Sequence, residues 1–310
     1  MADLYQLVEQ LQEKYNALGE DASAYMEGLL YSKPVNYWDY IQVDSLLSLQ
    51  KPKTDFKDEV VFIIYHQVTE LVLKLMNHEA EQISNNNSPN VAFLKDKIKR
   101  LCRYTDMLIT SFDVMRDGMS YKDYNQFRMS LTPASGFQSV QFRYLELYST
   151  PIYNLLKTDE SIEKIKELPL EEAFEYIYWK SAGTDKKTNE KNLTLRLFEE
   201  KYQDELIKRV KMMEGKTIDE RYKQVNSSDQ DLKSVMRKFD YLYNVAWPMV
   251  HLRTAEHYLE SEGKPKAATG GSAWKRYLHP DYQRRIFFPD VWDDVDIIDY
   301  QSDKINENTI

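Results

Sequence analysis

The sequence predicts an all-α fold, a single helical domain over residues 1–310, and three observations point to it. Apolar residues recur at helical spacing along nearly the whole chain. Glycine is scarce, with nine in 310 residues, two of them the adjacent Gly270 and Gly271. Alternating β-branched runs of the kind that form strands are few. The 23 tyrosines fit such a fold, since tyrosine suits surfaces that are apolar on one side and wet on the other.

Taken in order, the first helix is expected over roughly residues 2–30, in "MADLYQLVEQLQEKYNALGEDASAYMEGLL". "NYWDYIQVDSLLSLQ" reads as a short helix bracketed by Pro34 and Pro52. A long helix runs from about Asp58 to Ser84 and stops in "NNNSP", a cluster of breakers. Ser88-Pro89 opens the next, and "VAFLKDKIKRLCRYTDMLITSFDVM" keeps a 3.6-residue period. "MSYKDYNQFRMSL" supplies a turn or two before Thr132-Pro133, and a further helix carries "FQSVQFRYLELY" after "PASG". Residues 157–230 change character, being rich in Lys and Glu, with loop signals at "SAGTDKKTNEKN" and "NSSDQD". They read as charged helical hairpins inserted at the surface of the one domain. "LKSVMRKFDYLYNVAWPMVHLRTAEHYLE" resumes as a long amphipathic helix, which Pro248 should kink by removing one backbone bond.

Composition narrows the function. A net charge of −9 argues against a nucleic-acid partner, which requires basic surface to replace phosphate counterions. No run of eighteen apolar residues is present to span a membrane, and the acidic N-terminus lacks the pattern of a signal peptide. A lone cysteine, Cys102, excludes an internal disulfide framework and suits a reducing, cytoplasmic location. Cys102 itself sits at a helical apolar position, where core packing is the ordinary role.

Motif chemistry removes more. The five histidines show no HExxH spacing, and there is no CxxC, no glycine-rich phosphate loop after a strand and no Gly-x-Ser-x-Gly elbow. His66 and His251 remain, each alone on a largely apolar helix. Either by itself reads as a satisfied core histidine. Two on separate long helices are also the arrangement by which an all-α protein holds haem, one imidazole on the iron and polar groups on the opposite face. His257, six residues past His251, falls on another helical face. Tyr124 and Arg128 lie four apart, on one face of a helix, and arginine offers a rigid fork for a carboxylate. A surface salt bridge is the default for an arginine, but Phe127, Leu131 and "TPASG" flank this one. "ATGGSAW" places a glycine pair behind Thr269, a turn that presents backbone N–H groups and a hydroxyl to an anionic group.

Four blocks in order, "NYWDYIQVDSLLSLQ", "FIIYHQVTELVLKLMNHE", "YNQFRMSLTPASGFQSVQFR" with "YLEL", and "HLRTAEHYL" followed by "TGGS", resemble the tryptophan 2,3-dioxygenase family. These are haem enzymes that open the indole ring of L-tryptophan. The likeness runs from residue 37 to about 272, is weakest over 157–230, and is most specific in "PASGFQSVQFR". It implies an all-helical haem b protein, ferrous when active, assembled as a homotetramer, a dimer of dimers. It also implies a reaction with O2 that places both oxygen atoms in N-formylkynurenine, the first step of kynurenine-type tryptophan catabolism. His251 matches the family's proximal iron ligand, and His66 the distal histidine that hydrogen-bonds the indole N–H. Arg128 matches the arginine that holds the substrate carboxylate, while Phe62, Tyr124 and Leu131 match pocket-lining positions. Thr269 matches the threonine at the substrate's amino-acid end, and Ser135 and Gly136 match positions beside the cofactor. Tyr37, Tyr40 and Ile41 match residues lent by a neighbouring subunit, which gives the helices of residues 1–50 a role in another copy's site.

The chain departs from the family's loop at Ala268, Ala273 and Trp274, places "SEGKPKA" between His251 and Thr269, and carries Asp113 where relatives can have an aromatic residue. Those departures make a substituted tryptophan, another indole or an aromatic amino acid the alternative substrate on the same fold and haem. A non-enzymatic helical binding protein is the reading from a different class.

Overall fold

A computed structural model describes residues 3–157, 161–185, 188–225, 228–260, 279 and 285–293. Thr269, Gly270, Gly271 and Trp274 lie outside them. Among the described residues there are helices, 3₁₀ turns and two isolated β-bridges, with no strand, so the all-α expectation holds. The chain divides into two compact units, residues 1–51 and 52–310.

In the first unit the single helix expected over residues 2–30 is two, α1 (Leu4–Ala17) and α2 (Ala22–Tyr31). Gly19 takes φ +75°, a left-handed conformation open to glycine at no steric cost, and this ends α1. Asp21 then caps α2 by accepting from the Ser23 N–H at 2.9 Å. Tyr15 and Tyr25 stack at 4.1 Å between ring centroids and join the pair. Two short helices follow, α3 (Tyr37–Tyr40) and α4 (Val43–Leu47), separated by Gln42 at φ 55°. Ala22 is the one buried residue among those described in this unit, and Leu30, Tyr31, Val35, Tyr37 and Tyr40 are strongly exposed.

The second unit is built on two long helices, α5 (Glu59–Asn85) and α6 (Val91–Arg116), packed through Val72, Leu73, Met76, Ala80 and Ile83 on one and Leu94, Ile98, Leu101 and Leu108 on the other. The breaker cluster does its expected work, since α5 ends at Asn85 and the Asn90 side chain caps α6 by accepting from Phe93 N–H at 2.9 Å. The short α7 (Tyr121–Phe127) runs into a 3₁₀ turn at Arg128–Leu131, and the Ser120 N–H that precedes α7 donates to Asp58 at the start of α5. Next come α8 (Val140–Ser149), α9 (Ile162–Lys166), α10 (Leu170–Ala173), α11 (Leu193–Met213) and α12 (Ile218–Val225). Residues 157–230 are not confined to the surface. Phe174, Trp179, Phe198, Leu206 and Ile218 are buried in the same core as α5 and α6. Lys180, itself buried, pairs with Glu175 and Glu199. Charge alternation thus masks a sparse apolar face that still reaches inward.

Before Pro248 the helix widens. From α13 (Gln230–Tyr241) it passes through a π-helical turn, Leu242–Ala246, into α14 (Trp247–Glu260). Proline cannot donate to the carbonyl four residues back, and a turn of the wider hydrogen-bond pattern lets the helix continue.

The segment 285–293 is clamped to α13 by Asp240. Its carboxylate accepts from the backbone N–H groups of Phe287 and Phe288 (3.0 and 3.3 Å), the Trp292 indole N–H (2.9 Å) and the Asn244 amide (2.7 Å). Burial pushes Asp240 up to about 6 against these hydrogen bonds, which favour the ionised form. Between its unfolded value and about 6 the folded chain holds a proton that the unfolded chain has released. Stability from this group therefore falls as pH rises through that window and is level above it. Asp240→Asn should flatten this slope and, by turning an N–H₂ toward donors, cost about 3 kcal/mol in denaturant unfolding at pH 7.

Candidate active site

His66 sits in the second turn of α5, half-buried, on the face that also presents Phe62. Its Nδ1 lies 2.7 Å from the Phe62 carbonyl, so Nδ1 carries the proton and donates, and Nε2 keeps its lone pair. Burial lowers the imidazole's pKa, partly offset by that hydrogen bond, and holds the ring neutral near pH 7. The Phe62 ring lies 4.1 Å from the imidazole.

His251 lies one turn into α14 from Trp247, whose ring is wedged against Phe142 and Tyr243. The His251 side chain is exposed by area, yet desolvation is the main cause that lowers it to about 4. The second cause is proximity to His66, whose protonation would disfavour a charge on His251.

Aromatic rings run between them. From His66 one path passes to Tyr65 (5.7 Å), on to Phe112 of α6 (5.5 Å) and to His251 (5.4 Å). Another passes through Phe62 to Tyr124 of α7 (6.1 Å) and Tyr258 of α14 (4.5 Å). His251 and Tyr258 are seven residues apart, hence on one face of α14 about 10 Å from each other. The walls are thus drawn from α5, α6, α7 and α14.

Arg128 follows α7 directly, and its N–H donates to the Tyr124 carbonyl, preserving the four-residue relation expected of a helix. It is buried beside Phe127, so it is not a surface arginine. Leu131 ends the same turn, half-buried against the core. The Ser135 side chain accepts from Phe137 N–H at 3.3 Å, and Gly136 is exposed with open space where a Cβ would stand. Tyr37, Tyr40 and Ile41 belong to the other unit, where all three are exposed. Asp113 is on the surface of α6, paired with Arg116 at 2.8 Å. His257 is exposed and edge-on to Tyr121. Cys102 is buried and its thiol pushed up to about 12, as a core cysteine.

Sequence reasoning missed Tyr65, Phe112 and Tyr258. Tyr258 does show a signal, lying seven residues past His251 on the same helical face, but such spacing is shared by ordinary core residues.

A flat apolar macrocycle with one axial nitrogen ligand fits this donor set: neutral imidazole, aromatic walls, and a reachable ring. Among the described residues no group of three or more His, Cys, Asp or Glu could hold a bare metal ion.

Fold and site together define an all-helical protein, among its described residues, with two histidines joined through aromatic rings. A family model described as Tryptophan 2,3-dioxygenase matches residues 25–150, which contain His66, Tyr124 and Arg128. Tryptophan 2,3-dioxygenase of Bacillus thuringiensis subsp. konkukian (strain 97-27) is 27% identical over 274 residues, covering 84% of this chain and 92% of the relative. Those of Ruegeria sp. (strain TM1040) and Ruegeria pomeroyi (strain ATCC 700808 / DSM 15171 / DSS-3) are 34% and 38% identical over 140 and 120 residues. These spans are 44% and 37% of this chain, and 50% and 42% of the relatives. The chain is thus similar to tryptophan 2,3-dioxygenases, over residues 25–150 by the family model and over most of its length to the Bacillus protein.

Proposed function

We propose that the protein is a haem-dependent dioxygenase that opens the indole ring of L-tryptophan to N-formylkynurenine. The observation that carries this reading is the fixed tautomer of His66, joined to a neutral His251 through the rings of Tyr65 and Phe112. With Nδ1 donating to Phe62, the remaining Nε2 is an acceptor, which complements the N–H of an indole. His251 would hold the iron on the other side. When bound, haem supplies activation of O2.

The chain's own residues do the rest. Phe62, Tyr124 and Leu131 offer apolar surface to a flat ring and exclude water. Arg128 offers a buried guanidinium, and a buried charge favours an anion such as the substrate carboxylate. Thr269 is assigned to the amino-acid end, and Ser135 and Gly136 to the edge of the haem. His66 stays neutral and orients the indole without taking its proton outright.

A homotetramer is part of this reading. Tyr37, Tyr40 and Ile41, exposed in the first unit, would line a neighbouring copy's site, and light scattering should return the mass of four chains. No described helix is long and apolar enough to cross a membrane. A cytoplasmic location suits a chain whose one cysteine is a buried thiol.

The test is to load the protein with haem, reduce it, and supply O2 with L-tryptophan and ring-substituted analogues. N-formylkynurenine from L-tryptophan is the expected product. Turnover of another aromatic amino acid alone would replace the substrate and keep the site. Absence of a Soret band after reconstitution would favour the non-enzymatic reading.

A further inference from the structure

We propose that Tyr258 is a positioning residue that sets where Tyr124 stands and so selects which aromatic ring the site accepts. The inference rests on the reading of this site as one for an aromatic substrate.

Three elements meet at Tyr258. Its hydroxyl lies 2.5 Å from the Met115 carbonyl, 3.0 Å from that of Met119 and 3.3 Å from that of Arg116. One hydroxyl has one proton, so the bond goes to Met115 and the other two oxygens share its field. These carbonyls close the C-terminal end of α6, where a helix has no donors of its own and carries partial negative charge. Tyr258 is therefore a helix cap delivered from α14. Burial pushes its hydroxyl up to about 12, which keeps it a neutral donor.

The ring has a separate task. It is 2% exposed and lies 4.5 Å from Tyr124 and 6.0 Å from Tyr121, stacked on the latter at 10°. Tyr124 in turn faces Phe62, the ring beside His66. The backbone joins in, since the Asn125 amide bridges the carbonyls of Tyr258 and Tyr121 at 3.2 and 3.1 Å. Thus α7 is docked on α14 at Tyr258 through both side chain and main chain. With α6 capped by the same hydroxyl, the Tyr258 ring has little freedom to retreat. Tyr124 has a fixed backstop, and the width between Tyr124 and Phe62 is set from behind.

The experiment compares Tyr258→Phe, which keeps the ring and removes the cap, with Tyr258→Leu, which removes the backstop. KM and kcat are measured for L-tryptophan and for a tryptophan methylated on its six-membered ring. Tyr258→Leu should raise KM for L-tryptophan about two- to tenfold, the range an aromatic pair contributes, with a smaller change in kcat. It should also narrow the KM ratio between the methylated and parent substrates, and Tyr258→Phe should move both quantities the same way by less. A lowered melting temperature with the ratio unchanged in both variants would make Tyr258 purely structural and overturn the inference. Should Tyr258→Leu not fold, the ratio for Tyr258→Phe decides alone. A wild type that turns over no aromatic amino acid removes the functional reading and the inference together. An active wild type with unchanged variant ratios removes the inference only.

Discussion

His251→Ala is expected to abolish axial ligation of haem and to reduce tryptophan turnover to background while leaving the apo-protein folded. The two halves of this outcome have different causes. His251 is exposed by area, and its ring contributes one face to Phe112. Truncation should therefore cost little stability, within about 1 kcal/mol. Its neutral imidazole nitrogen is the ligand the site offers to iron on the α14 side. The spectrum of the reconstituted variant should lose its histidine-ligated character, and added imidazole should restore part of it by filling the space that the side chain leaves. An unchanged spectrum would remove His251 from the iron and require another ligand.

Arg128→Met should show the second-largest effect, a rise in KM for L-tryptophan. Methionine keeps much of the apolar stem and removes the fork. A charge-assisted hydrogen bond contributes about 1.5–3 kcal/mol, so the loss is about ten- to 150-fold in kcat/KM. Tryptamine, which lacks the carboxylate, should be affected much less, and the contrast isolates the guanidinium–carboxylate contact from damage to the fold. Arg128→Lys should recover only part of the loss, because an ammonium cannot reproduce the planar two-point fit. Equal losses for tryptophan and tryptamine would show that Arg128 holds the turn after α7 and not the substrate.

Much of the fold is legible in the sequence because its cues are local. The "NNNSP" cluster ends α5 where expected, and Asn90 opens α6 by capping. The first helix was less readable, since one glycine with positive φ splits a periodic run that continues on both sides of it. Residues 157–230 mislead for another reason. Trp179 and Phe198 are single apolar residues in a charged context, and they pack on each other and on distant Phe137, which no local period encodes. Pro248 warns of the irregularity but not of its form, a π turn over Leu242–Ala246.

In the site, His66, His251 and Arg128 stand out as polar residues in apolar surroundings, and four ordered motifs carried their reading further than spacing could. The walls were harder. Phe112 meets His251, and Tyr258 meets Tyr124, across 139 and 134 residues of sequence respectively, contacts made only once α6, α7 and α14 converge.

The most direct test of the central claim is the isotopic content of the product formed under ¹⁸O₂. Haem-loaded, reduced protein with L-tryptophan should release N-formylkynurenine carrying two labelled oxygen atoms, a mass gain of about 4 Da, as a dioxygenase with its substrate held by His66 and Arg128 requires. A product with a single labelled atom would make the protein a mono-oxygenating enzyme of the same fold, and no oxidised tryptophan at all would contradict the assignment of this site to that substrate.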